Sequence, residues 1–345
     1  MKNKYLLLSD GTSPHTLKWV KELSKHFELY LVSLNGMNTS LLEYIEEDKI
    51  YVLNESVKTA GGNFKLLLKY FEIKKIVDEV SPLYVNAHYL SSYGVLAALL
   101  KKSNRTIKLI QSTWGSDVLV TPFEGKLKFY MAKFALSCAD VISSDSYFMT
   151  DKINEIYKNC YTMTFPFGLE KFDKDEDIEK DKDLIFSNRM LSENYNIDSI
   201  IKWFSKQSSN YRLVIAHNGV MRDELERLVE TLNLETKVSF VGFLNIEEQA
   251  YFYRTAKYYI SIPTSDSTAV SLLEAMRYGC YPIVSNLSAN REWILDNVNG
   301  KFFDENYVLE KQIKYDVINI NQEMILQKAI FENSIRLYVE RLQSI

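Results

Sequence analysis

Cysteine is scarce in this chain. Its 345 residues hold three, Cys138, Cys160 and Cys280, far apart in the sequence. Their number is odd and their spacing matches no metal-ligand pattern, which argues against a disulfide framework and against a thiolate metal site. Long apolar runs are missing too. None approaches the roughly 20 residues that a membrane-spanning helix needs. The first, Tyr5–Leu8, is too short for a secretion leader. These absences lead to the expectation of a reducing, cytoplasmic location. Excess positive charge is also lacking: the net charge is −4, so nothing in the total points to nucleic acid. There is no internal repeat of solenoid length.

What is present is an alternation of apolar runs with segments of helical period. That pattern implies parallel sheets wrapped by helices, an α/β chain. Its length suits two domains rather than one core. In the front half, strands are expected at Tyr5–Ser9, Leu29–Ser33, Leu83–Ala87 and Ile107–Gln111, and helices near Thr16–His26, Phe64–Val80 and Gly125–Ser137. In the back half, strands are expected at Leu184–Ser187, Arg212–Ala216, Val238–Val241 and Tyr259–Ile262, with helices near Val270–Tyr278 and Arg291–Asp296. A single long helix over Asn321–Leu342 closes the chain. The boundary falls after Phe165, where Pro166 and Gly168 lead into a run of Asp, Glu and Lys. Basic side chains slightly outnumber acidic ones before this point, and acidic ones dominate after it.

In open parallel sheets, ligands bind beyond the carboxyl ends of the strands. The loops there carry the chemistry worth testing. The richest is Pro263-Thr-Ser-Asp-Ser-Thr-Ala-Val-Ser-Leu-Leu-Glu-Ala-Met-Arg-Tyr-Gly279. A strand ends, a small-residue loop follows, and a helix begins. Such a loop offers consecutive backbone N–H groups, and the helix start favours an anion. Asp266 and Glu274 bracket it. Ser271-Leu-Leu-Glu274 equally fits a capping box, in which Glu274 merely closes the helix start.

This stretch resembles the signature of the family-4-type retaining glycosyltransferases of GT-B fold. Glu274-Ala-Met-Arg-Tyr-Gly-Cys-Tyr-Pro-Ile-Val284 and Asn290-Arg-Glu-Trp-Ile-Leu-Asp-Asn-Val-Asn-Gly300 both follow that family's pattern. The resemblance implies two Rossmann-like domains facing each other across a cleft, with the C-terminal helix crossing back to the first. Residues 1–165 would be the acceptor domain, 166–182 the hinge, 183–320 the nucleotide-sugar domain and 321–345 the returning helix. The implied reaction moves a sugar from a nucleoside diphosphate sugar to a hydroxyl of a glycan or lipid-linked glycan, with retention. No cofactor and no metal are implied, and no Asp-x-Asp stands at a strand end.

The resemblance also assigns residues. Asp266 would face the sugar, Glu274 the ribose, and Ser267, Thr268, Ala269 and Val270 the phosphates. Arg189, after Leu184-Ile-Phe-Ser-Asn188, would neutralise the leaving diphosphate. Five residues on, where the family usually has Lys, stands Asn194, able to donate one hydrogen bond but no charge. Asn218 and the backbone of the turn at Phe243 and Leu244 would line the base. In the front half, Gly11 lets the backbone approach a ligand, and Asp10-Gly-Thr-Ser-Pro-His15 lacks the dinucleotide fingerprint. His88 ends a strand on the cleft side. Thr113-Trp-Gly-Ser-Asp117 resembles a His-Gly-x-Asp loop with Trp114 in the His place. Trp114 is then a candidate to stack on a sugar face, and Asp117 to hold hydroxyls. Lys65, Lys69, Lys74 and Lys75, beside Phe64, Leu67, Leu68 and Phe71, would permit weak peripheral contact with the inner face of a membrane, or else form a solvated face over a buried stripe. Two rival readings keep the fold without this activity: a non-catalytic partner subunit, and a sugar epimerase or phosphorylase.

Overall fold

The computed structural model describes residues 2–53, 68–174, 179–208, 210–309 and 315–344. The chain divides into two compact units, one of Met1–Phe165 with Glu332–Ile345, the other of Pro166–Phe331.

The first unit is built on seven parallel strands: β1 (Lys4–Leu8), β2 (Glu28–Ser33), β3 (Ile50–Val52), β4 (Tyr84–His88), β5 (Lys108–Ser112), β6 (Val141–Ser144) and β7 (Thr162–Thr164). Their order is β3-β2-β1-β4-β5-β6-β7. Buried on both faces, the central strands read as nearly unbroken apolar runs such as Tyr5-Leu-Leu-Leu8. The helices between them are α1 (Pro14–Leu23), α2 (Tyr70–Val80), α3 (Val95–Ser103), α4 (Ser116–Leu119), α5 (Lys126–Cys138) and α6 (Tyr147–Ile156). Ser13 caps α1 by accepting from the His15 amide, with Pro14 at the first helical position.

The second unit carries six parallel strands: β8 (Asp181–Asn188), β9 (Arg212–Ala216), β10 (Val238–Gly242), β11 (Ala256–Ser261), β12 (Tyr281–Val284) and β13 (Lys301–Phe302). Their order is β10-β9-β8-β11-β12-β13. Its helices are α7 (Ile197–Phe204), α8 (Arg222–Thr231), α9 (Ile246–Thr255), α10 (Val270–Arg277) and α11 (Val317–Lys328). Strand order reverses between β1 and β4 in one sheet and between β8 and β11 in the other. A crevice opens where neighbouring connections diverge, so the loops after these four strands are where each unit can hold a ligand.

The closing helix is not continuous. α11 belongs to the second unit, and α12 (Phe331–Gln343) belongs from Glu332 onward to the first. The break has a backbone cause. Leu169 N–H donates to the Ala329 carbonyl at 2.7 Å, and Phe331 N–H donates to the Leu169 carbonyl at 2.8 Å. Those groups are thereby lost to a helical ladder. α12 is held to its unit by Tyr338, whose hydroxyl lies 2.8 Å from that of Tyr5 and whose ring packs edge-on to Trp19.

Other expectations need correction. The helix placed at Arg291–Asp296 is a single turn, Asn290–Glu292. α6 and β7 had not been foreseen, because Tyr147–Ile156 mixes polar and apolar residues and β7 has only three residues. The helix placed at Phe64–Val80 is described only from Tyr70, and Phe64, Lys65 and Leu67 lie outside the described residues. Its buried stripe is Ile73, Ile76, Val77 and Val80, whereas Leu68 and Phe71 are about three-quarters exposed, at 76% and 75%. Lys69, Lys74 and Lys75 each pair with a carboxylate one turn on, Glu72, Asp78 and Glu79, which leaves little net charge for a membrane. Among the described residues, no helix is long and apolar enough to cross a bilayer.

Gly168 tests the packing of the segment before Leu169 on the end of α11, within the second unit. A Cβ there would lie 1.9 Å from the Ala329 carbonyl oxygen, closer than any real contact. Gly168→Ala is expected to destabilise the second unit by about 1–3 kcal/mol or more, read as a lowered midpoint in chemical denaturation.

Candidate functional site

A cluster of mostly part-buried polar groups in the second unit lies at the ends of β8 and β11. Arg189 follows β8 directly. Its Nη2 donates to Asp266 Oδ2 at 2.6 Å, and its Nη1 donates to Ser271 Oγ at 2.8 Å. The guanidinium stacks on the Tyr195 ring, 4.3 Å from the centroid. Only 11% of the Arg189 side chain and 24% of that of Asp266 remain accessible. Burial disfavours the guanidinium charge, but Asp266 and the neighbouring phenols outweigh it and hold Arg189 protonated. Burial pushes the Asp266 carboxyl above its ordinary value, opposed by Arg189 and by the Ser267 amide at 3.0 Å.

The loop that carries Asp266 is splinted by two asparagines. Asn194 donates to the Ser265 carbonyl at 3.0 Å and accepts from the Ser265 amide at 3.1 Å. Its own carbonyl accepts from Thr264 N–H at 2.7 Å. Asn196 donates to the Ile262 carbonyl and to Thr264 Oγ1. Both ends of the Asn194 amide are engaged by the loop, which gives this residue a splinting role.

α10 begins at Val270 with Ala269 as its N-cap, and no side chain caps it. The capping-box alternative for Ser271 and Glu274 is thus set aside. Ser271 Oγ accepts from Arg189 and from Tyr259 Oη, the latter at 2.8 Å. Glu274 instead holds the buried Tyr253 phenol, to which Asn188 also donates. Ser267 and Thr268 are buried, with Thr268 Oγ1 3.4 Å from the Trp293 indole nitrogen. Ala269 and Val270 sit half-buried at the helix start. A helix start without a side-chain cap retains its affinity for anions.

The base-side expectations divide. Asn218 and Phe243 are exposed, and Phe243 packs edge-on to His217 with centroids 5.4 Å apart. Asn218 Oδ1 accepts from Arg222 at 3.2 Å. The side chain of Leu244, in contrast, is buried within the core beside Tyr253 and Phe186, so only its backbone can serve a ligand.

In the first unit, His88, Trp114 and Asp117 meet at the ends of β4 and β5. His88 is 1% exposed; its Nδ1 lies 2.9 Å from Ser9 Oγ, which lies 2.7 Å from Thr16 Oγ1. Its Nε2 is buried with no hydrogen-bond partner. Burial above all, with His15 nearby, lowers its pKa to about 3. Trp114 is stacked on Tyr89, with the His15 and His88 rings 4.9 and 5.1 Å away. Tyr89 itself holds a left-handed φ of 69° in the turn that follows β4. Asp117 is 3% exposed, and its two oxygens accept from the Trp114 and Leu90 amides, both at 2.9 Å. Those two bonds tie the Trp114 loop to the turn after β4. Gly11 makes its close approach to protein: a Cβ there would lie 2.8 Å from the Gly36 carbonyl.

Sequence reasoning missed Ser271, Tyr259, Tyr253, Asn188 and Tyr195 as members of the polar cluster. Ser271 was legible as a helix-start residue, but the partners converge from separate strands and carry no local motif.

Two Rossmann-like units, one with an arginine and a helix start bracketed by Asp266 and Glu274, define the GT-B class. Family models agree over most of the chain: Glycosyl transferase 4-like over residues 4–146, and Glycosyl transferases group 1 over residues 169–334. The chain belongs to the family-4-type GT-B glycosyltransferases. It is 29% identical over 157 residues to an uncharacterised glycosyltransferase of Methanocaldococcus jannaschii, an alignment covering 44% of this chain and 40% of that one. It is 21% identical over 202 residues to the alpha-monoglucosyldiacylglycerol synthase of Streptococcus pneumoniae, covering 53% and 45%. The chain thus spans less than half the length of both relatives. Its fold matches the crystal structure of Anabaena HepE in complex with UDP with a TM-score of 0.75, at 15% identity and with 100% of each chain covered.

The state of His88 has a measurable consequence. The unfolded chain takes up its proton near 6.5, whereas the folded one resists until about 3. Between those values the unfolded state binds more protons, so this group removes stability as pH falls, by up to about 1.4 kcal/mol per pH unit. His88→Gln is expected to flatten that part of the slope in parallel denaturation curves between pH 6.5 and 4; an unchanged slope would show that His88 titrates normally in the folded protein.

Proposed function

We propose that this protein transfers a sugar from a nucleoside diphosphate sugar to a hydroxyl of a glycan or lipid-linked acceptor, with retention and without a metal. The observation that carries this reading is Arg189, buried at the start of α10 and held by Asp266 and Ser271. Glycosyl transfer develops its largest charge on the departing diphosphate. A fixed guanidinium and the first amides of α10 are groups that stabilise such charge without reorganising. As the bond between the sugar's anomeric carbon and the phosphate oxygen breaks, the acceptor oxygen attacks on the same face and passes its proton to that phosphate oxygen. Attack on the face from which the phosphate departs is what gives retention, and no protein nucleophile enters the scheme.

Further assignments follow the family's pattern. Glu274, anchored by Tyr253, is suited to the ribose hydroxyls, and the exposed Phe243 with Asn218 to the base. Asp266 serves the donor sugar through whatever acceptor capacity remains beside Arg189. In the first unit, the His88 and Trp114 cluster takes the acceptor side. Support for a lipid-borne acceptor comes from the Streptococcus relative, whose name specifies diacylglycerol. The reading places the reaction in the cytoplasm, at the inner face of the membrane where the acceptor is lipid-linked.

A thermal-shift and turnover screen over UDP-, GDP-, ADP- and CDP-sugars tests the reading as a whole, and one donor is expected to stabilise the protein and be consumed. No donor-dependent shift and no turnover, with stable binding to a related glycosyltransferase, would favour the partner-subunit reading instead. Arg189→Ala is expected to lower kcat/KM by about 10²–10³-fold, and normal turnover by this variant would sink the diphosphate assignment. Turnover is expected to survive exhaustive chelation with EDTA; its loss, restored by added magnesium or manganese, would overturn metal independence.

A further inference from the structure

Ser271 has been assigned no role toward a ligand by the reading above, yet its hydrogen bonds are unevenly distributed. A serine hydroxyl has one proton to give and two lone pairs to fill. Both lone pairs are used: Arg189 Nη1 donates to Oγ at 2.8 Å, and Tyr259 Oη donates to the same atom at 2.8 Å. Among the described residues, none accepts the hydroxyl proton. Two donors on one side turn that proton away from β8 and β11. Ser271 is the second residue of α10, on the turn whose N-cap, Ala269, supplies no side-chain acceptor. The hydroxyl therefore leaves the network as a polarised donor. Receiving from a charged guanidinium makes its proton more acidic and its outgoing bond stronger.

We propose that Ser271 Oγ–H donates directly to the diphosphate of the sugar donor, so that one side chain both fixes Arg189 and binds the leaving group. Tyr259 is the positioning residue for this contact. It is fully buried and its phenol, pushed above its ordinary pKa chiefly by burial, stays protonated and so keeps donating. The inference rests on the proposed diphosphate site, but it goes beyond it by naming a hydroxyl contact that backbone amides alone would not supply. It also accounts for how the site works with Asn194 where the family usually has Lys. The second diphosphate contact comes from a neutral hydroxyl polarised by Arg189, not from a second cation.

The test uses inorganic pyrophosphate and UDP as probes, each titrated calorimetrically into the full-length protein. A hydrogen bond to a charged group supports a loss of at least about tenfold in affinity for Ser271→Ala. Ser271→Thr, which keeps the hydroxyl, is expected to stay within about threefold of the parent by the same reasoning. Tyr259→Phe frees one lone pair and removes the constraint on proton direction, so its loss is expected to be intermediate. Melting temperatures of all variants establish that the fold is intact. Arg189→Ala separates the two levels of the argument. If it abolishes pyrophosphate binding while Ser271→Ala stays within about twofold, the hydroxyl contact is wrong and the site stands. If neither variant alters binding of either probe, the diphosphate site itself has been misplaced. If Ser271→Thr loses as much as Ser271→Ala, the hydroxyl is not the group that matters and the proposal falls.

Discussion

Arg189 is a buried cation, and the cost of burying it shapes everything around it. An isolated guanidinium removed from water would be strongly destabilising. Three partners offset that cost: the Asp266 carboxylate, the Ser271 hydroxyl and the face of Tyr195. Each must then be held in place. Asp266 sits on a loop, and loops drift, so Asn194 and Asn196 fasten the preceding residues to the segment after β8. Ser271 sits on a helix start, and Tyr259 of β11 fastens it from below. Glu274, one turn further along α10, is fastened in turn by Tyr253. A single buried charge thus organises the ends of two strands, one loop and one helix.

The first unit solves a related problem without charge. His88 is almost fully buried, and it stays neutral over most of the pH scale because burial, and then the nearby His15, disfavour its charged form. Asp117 spends both its oxygens on backbone amides, which fixes the Trp114 loop against the turn after β4. Burial raises the Asp117 pKa while those amides oppose the rise. The two units therefore present different chemistries at their strand ends. One offers a fixed positive group beside free amides, suited to phosphate. The other offers rings and a neutral imidazole, suited to a neutral, hydroxyl-bearing molecule.

Much of this was legible in the sequence, and the reasons are physical. Parallel strands buried on both faces announce themselves as apolar runs, so the central strands of both sheets could be read directly, while the three-residue β7 could not. The segment from Pro263 to Gly279 was legible because loop, helix start and two carboxylates fall within one stretch. What could not be read were contacts between distant stretches. Asn194 looked like a weak ligand because its place in the family pattern suggested one; its true partners, Thr264 and Ser265, lie some seventy residues away. The amide partners of Asp117 were hidden for the same reason, since a motif records position but not which way a side chain turns. The break at Ala329 was hidden because both flanking segments have good helical period, and the cause is a carbonyl claimed by Leu169.

On the proposed reading of the site, Asn194 in the place of a lysine changes the balance of forces on a diphosphate. Arg189 brings one positive charge, but Asp266 at 2.6 Å cancels much of its field at a distance. The helix start adds roughly half a charge. A net charge this small cannot bind a diphosphate through long-range attraction. In that proposal affinity comes from short, directed hydrogen bonds: guanidinium, helix amides and the Ser271 hydroxyl. Directed bonds are sensitive to geometry, whereas point charges are forgiving. That sensitivity explains why so much of the second unit's buried polar chemistry, from Asn188 through Tyr253 and Tyr259 to Asn196, is spent on holding a few donors still.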